Sequence, residues 1–119
     1  MGSEAPSGLE LYQSMAALQA DRDNAIGERF GAGEEAAAAV VAYKVAKARR
    51  ALEMRAEKVP VTLIQTVVDG DDDVAPLLLE KLRAEASMDA WDEAIHARMQ
   101  DIKILGATIE AESHMTGNH

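Results

Sequence analysis

Residues 73–113 read DVAPLLLEKLRAEASMDAWDEAIHARMQDIKILGATIEAES. Within them Val74, Leu78, Met88, Trp91, Ile95, Met99, Ile102 and Ile109 recur at steps of three, four or sums of these. That period lays them along one stripe of an α-helix. An aspartate is suited to the N-cap, and Pro76 falls in the first turn, where a missing N–H costs little. The stretch therefore predicts one helix of roughly forty residues, ~60 Å at 1.5 Å per residue. Gly106 marks a point where it can kink.

An apolar stripe of that length needs a partner. The segment before it supplies one. A helix is predicted over 34–58, opened by Glu34-Glu35, whose charge suits a helix N-terminus. Val41, Val45, Ala48 and Leu52 form its seam, with Val40, Ala51 and Met54 beside it. The alanines of 36–39 allow close helix approach, and Val59-Pro60 ends the element. An earlier helix, 9–30, carries Leu11, Met15, Leu18, Ala25 and Phe30 on one face, and Gly31-Ala32-Gly33 is expected to break it.

Residues 61–68 are rich in β-branched side chains, as a strand would be, yet no second strand exists for them to pair with. Pro60 before Leu63, Ile64, Val67 and Val68 predicts a short helix instead. Gly70 is expected to stop it. Met1–Gly8 is expected to be disordered, and 114–119 to be a frayed tail. The fold class is all-α: a single domain over 9–113, a long helical hairpin with an N-terminal helix and a short connecting helix. The 34–58 helix, ~36 Å at the same rise, is too short to cover the whole stripe. Homodimerisation into a four-helix-type bundle is the expected remedy, with Met88, Trp91, Ile95, Met99, Ile102 and Ile109 as the oligomer seam.

Composition agrees. Of 119 residues 48% are hydrophobic but only 3% aromatic, a core suited to closely packed helices rather than to a β-sandwich. A net charge of −9 argues against general affinity for nucleic acid or anionic membranes. No run approaches 18 apolar residues, so no transmembrane helix is expected. The first eight residues do not read as a secretory signal. With no cysteine, disulfides, thiol nucleophiles and Cys-ligated zinc are excluded. A cytoplasmic location is expected.

Three features bear on chemistry. Asp69, Asp71 and Asp73, with Glu80, have the spacing of a calcium-binding loop, but Val74 stands where that loop requires glycine. Glu93 and His96 form a Glu-x-x-His pair of the kind found in ferritin-like di-metal bundles. Their phase puts them on the flank of the stripe, outside the core such a site needs. Charge is also segregated. Lys44, Lys47, Arg49, Arg50, Arg55 and Lys58 are six of the twelve basic residues, whereas 71–93 holds eight acids against two bases. Opposite charge on neighbouring helices favours an antiparallel hairpin. The same basic face, Lys44, Lys47, Arg50, Arg55 and Lys58, is also a candidate interaction face. No catalytic, metal or cofactor residue is assigned, and no cofactor is expected.

Over about seventy residues, Tyr43 to Glu112, the chain resembles small helical proteins of phages and prophages from early or recombination gene modules. The stretches that carry the likeness are Tyr43-Lys-Val-Ala-Lys-Ala-Arg-Arg50, Val59-Pro-Val-Thr-Leu-Ile64, Asp69-Gly-Asp71 and Ile102-Lys-Ile-Leu-Gly-Ala-Thr-Ile-Glu110. The resemblance implies a bacterial host cell and no catalytic residues. The favoured function is a non-enzymatic helical interaction or assembly protein acting as a homo-oligomer, with another protein as a further partner. Two alternatives remain open. One is a binder of nucleic acid, or of a nucleic-acid-handling protein, through the basic 44–58 face or the acidic 69–93 face. The other is a di-metal protein using Glu93 and His96.

Overall fold

The computed structural model describes residues 8–117, and among them every regular element is helical. Helix α1 spans Gly8–Ala56, α2 spans Val61–Val67, a 3-10 turn covers Val68–Gly70, and α3 spans Ala75–Gly117. Long α1 packs against long α3, giving the expected all-α hairpin with a short connecting helix. Packing separates two units: residues up to Glu28 with those from Trp91 onward, and Arg29–Ala90. The disorder expected for the first residues falls on 1–7, outside the described residues.

The anticipated break at Gly31-Ala32-Gly33 does not occur, and the predicted 9–30 and 34–58 helices are one. Each glycine weakens a helix by about 1 kcal/mol relative to alanine, but neither lacks an N–H as proline would. The covered positions continue unshifted through the segment: Arg29, Ala32, Ala36, Ala39 and Tyr43 are buried or half-buried at steps of three and four. Gly33 also lies beneath the Arg29 guanidinium, whose Nη1 is 2.7 Å from where a Cβ would be. Helix α3 likewise runs through Gly106, which faces the Met15 methyl, and extends to Gly117; the end of the expected 114–119 tail falls on 118–119, outside the described residues.

Helix α1 ends in a Schellman motif. Val59 N–H donates to the Met54 carbonyl and Lys58 N–H to that of Arg55, both at 3.0 Å. This closure needs a left-handed residue, usually glycine, and Lys58 takes that role with φ 67°. Val59 then packs against the core cluster that includes Met54. Pro60 follows in extended backbone and starts α2. Beyond α2, Gly70 has no positive φ; the short helix tightens into the 3-10 turn instead of stopping at a left-handed glycine.

In the Arg29–Ala90 unit this corner builds a small core of Tyr43, Met54, Ile64, Val68 and Val74, joined by Ala51, Val59, Leu77 and Leu78. Val68 and Val74 are wholly enclosed. In the other unit Leu11 and Ala25 are buried, with Met15 and Leu18 half-covered beside them.

The hairpin seam on α1 differs from the predicted one. Val41, Val45 and Leu52 are exposed by 60, 51 and 66%, and Phe30 by 69%. Ala36, Ala39, Tyr43 and Met54 are buried in their place. At 100° per residue the two sets lie on nearly opposite sides of the helix. Two causes favour the alanine side. Small side chains let the backbones approach, and the same side carries Tyr43, Lys47 and Arg50, which reach Asp69 and Asp71 across the corner.

Candidate functional site

The densest polar arrangement joins the end of α1 to the Asp69–Asp73 loop. Tyr43, Lys47 and Arg50 follow one another on one face of α1 at steps of four and three, so all three reach the same loop. The Tyr43 hydroxyl donates to Asp69 Oδ1 at 2.6 Å and accepts from Lys47 Nζ at 3.0 Å. Lys47 also pairs with Asp69 Oδ1 at 3.2 Å. Arg50 Nε donates to Asp71 Oδ1 at 2.8 Å, while its Nη1 reaches Glu53 and Glu57 at 3.2 and 3.3 Å. The other Asp71 oxygen accepts the Asp73 amide at 3.0 Å, an Asx turn that leads into α3. Lys47 and Lys81 also stand over the Tyr43 ring, 5.3 and 5.7 Å from its centre, within cation–π range.

These contacts set the protonation of the cluster. The Tyr43 hydroxyl first, and Lys47 second, hold the Asp69 carboxyl below the ordinary aspartate value. Arg50 does the same for Asp71, helped by the Asp73 amide. Hydrogen bonds to Tyr43 and Asp69 raise the Lys47 ammonium, and Asp71 followed by Glu57 raises the Arg50 guanidinium. Lys47, Arg50, Asp69 and Asp71 are therefore each held in the ionised form.

The calcium-like spacing is used differently. Asp69 and Asp71 turn to the α1 cations, and no group of three or more His, Asp or Glu among the described residues is arranged to hold a metal ion. Glu93 and His96 are both exposed on α3. The predicted interaction face is split: Lys47 and Arg50 are committed to the loop, whereas Lys44, Arg55 and Lys58 are exposed. On α3, Met88 is half-buried and borders an apolar groove with Gly33, Ala37 and Val41. Trp91 faces Asn24 and Ala25, and Ile109 faces Leu11 and Tyr12. Ile95 and Ile102 are half-buried and Met99 is 55% exposed.

A second candidate surface is the side of α1 turned away from its alanine seam. Besides Phe30, Val41, Val45 and Leu52 it carries a groove against α2, lined by Ala48, Ala51, Leu52, Val61 and Ile64 with Arg55 and Gln65 at its margin. Neither the exposure of Phe30 nor the loop anchoring of Lys47 and Arg50 is visible in hydrophobic periodicity. The available signal was the Tyr43/Lys47 spacing, a polar pair on the face opposite the valines. No helix among the described residues is long and apolar enough to cross a membrane. Compared with known protein families, curated proteins and solved structures, the chain matches none.

Proposed function

We propose that this chain is a non-enzymatic helical interaction protein that works as a homo-oligomer, an accessory or assembly factor of phage type inside a bacterial host cell. The observation that carries the reading is the uncovered apolar surface. Phe30, Val41, Val45 and Leu52 on α1 and Val61 on α2 are each at least half-exposed, and apolar side chains left in water along one helix face favour a partner that covers them. The polar cluster around Tyr43 and Asp71 is a structural clasp in which Lys47 pairs with Asp69 and Arg50 with Asp71. Molar mass by light scattering after size exclusion is the test: a value that stays at 12.8 kDa at all concentrations removes the homo-oligomer.

A second reading draws on Lys44, Arg49, Arg55 and Lys58, exposed cations that make no ion pair among the described residues. They would engage an acidic surface such as a nucleic-acid backbone, with affinity that falls steeply as salt rises. Charge reversal at Lys44, Arg49 and Arg55 that leaves binding to duplex DNA unchanged rules this out.

A further inference from the structure

The outer face of α1 within the Arg29–Ala90 unit is complementary to itself. Phe30, Glu34, Ala37, Val41, Lys44 and Ala48 are all exposed, with Ala37 and Val41 at the rim of the groove that Met88 borders. They recur at steps of four, three, four, three and four, the spacing of a helix-pairing seam. Laid antiparallel on a second copy, about a twofold axis between Ala37 and Val41, the seam makes three layers, each occurring twice. Phe30 faces Ala48, Glu34 faces Lys44, and Ala37 faces Val41. Large meets small and acid meets base.

Other alignments lose this match. A parallel pairing sets Glu34 against Glu34. Sliding the antiparallel pairing by seven residues either way sets Glu34 against Ala37 or Ala51 and leaves the lysine without its acid. Ala48 also borders the groove between α1 and α2, whose floor and walls are Ala51, Leu52, Val61 and Ile64. In the favoured alignment the Phe30 ring of one protomer arrives at that groove on its partner. Phe30 is the sole phenylalanine of the chain and is 69% exposed, so it is a projecting aromatic anchor set opposite an apolar hollow, the usual composition of an interface hot spot.

We infer that two copies of this chain pair antiparallel through the outer face of α1, with Phe30 of each inserted between α1 and α2 of the other and Glu34 paired with Lys44 across the axis. This rests on the homo-oligomer reading above and specifies its surface. An isologous contact of this kind closes on itself and stops at the dimer.

The full-length chain tests it by light scattering over a dilution series, with circular dichroism confirming unchanged helicity. Phe30→Asp is expected to give a monomer. Glu34→Lys and Lys44→Glu are each expected to weaken dimerisation at least tenfold by setting like charges together, and the double exchange to restore it. A dimer that persists equally in all four variants overturns the proposed surface while leaving the homo-oligomer reading intact. A wild-type chain that stays monomeric throughout overturns both and assigns the face to a different protein.

Discussion

Arg50 Nε donates to Asp71 Oδ1 across a sequence separation of 21 residues, at 2.8 Å, and the same carboxylate accepts the Asp73 amide through its other oxygen. One side chain thus ties the last turns of α1 to the loop that opens α3. The Arg50 and Asp71 side chains are 25 and 14% exposed, more sheltered than an ordinary surface pair.

Arg50 and Asp71 are expected to act as a unit. Arg50→Ala and Asp71→Ala should each lower the thermal midpoint, with Asp71→Ala the more harmful because the Asx turn goes with it. The double variant should lose clearly less than the sum of the two, as residues sharing one contact do. Strict additivity in a thermal-denaturation cycle contradicts the coupling.

The clasp should also make stability depend on pH. Asp69 and Asp71 release their protons more readily in the folded chain than in the unfolded one, so the unfolded state binds more protons in acid. Their contribution is complete above the ordinary aspartate range, near pH 4, and is lost as pH falls through their lowered folded values. Lys47 works the other way. Its raised value stabilises below the ordinary lysine range and is lost as pH climbs through the folded value. Thermal midpoints from pH 2 to 7 should rise with pH in the wild type and less so in Asp69→Asn/Asp71→Asn. Identical profiles exclude the two carboxylates as the source.

Lys58 occupies the left-handed position of the Schellman motif, where glycine is free of the side-chain clash. Lys58→Gly is expected to stabilise the chain by about 0.5–1 kcal/mol, since relief of the left-handed strain exceeds the extra freedom gained by the unfolded chain. Urea unfolding measures this, and a loss of stability would show that Lys58 is not strained.

Val74 is the most enclosed side chain described, seated where α1, α2 and α3 converge. Val74→Ala removes two methyl-sized groups and leaves a gap, at a cost of roughly 2 kcal/mol. Val41→Ala, on the open face of α1, should change monomer stability by less than about 0.5 kcal/mol. Comparable losses at the two positions in chemical denaturation would mean that the buried and open faces have been exchanged.

What could be read from the residues alone was whatever depends on local periodicity and local chemistry. Steps of three and four from Val74 to Ile109 meant a long helix. Pro60 marked an end and a beginning, and the lack of any second strand-like segment made 61–68 helical. The charged runs of 44–58 and 71–93 meet across the corner in one pair, Arg50–Asp71, with Lys47–Asp69 just outside the second run.

Which side of α1 faces α3 was decided only in three dimensions. By hydrophobicity the Val41–Val45–Leu52 stripe is the better core, and periodicity selects it. Close helix approach, however, rewards small residues, and Tyr43, Lys47 and Arg50 gain partners distant in sequence by turning toward Asp69 and Asp71. The same holds at Gly31 and Gly33. Local propensity argues for a break, but burial of Ala32 and Ala36 along an unshifted seam outweighs two glycine penalties of about 1 kcal/mol each. Sequence determined that the chain is helical and that Pro60 divides it; packing, through the size and pairing needs of side chains far apart in the chain, determined that α1 runs unbroken through its glycines and which of its faces are hidden.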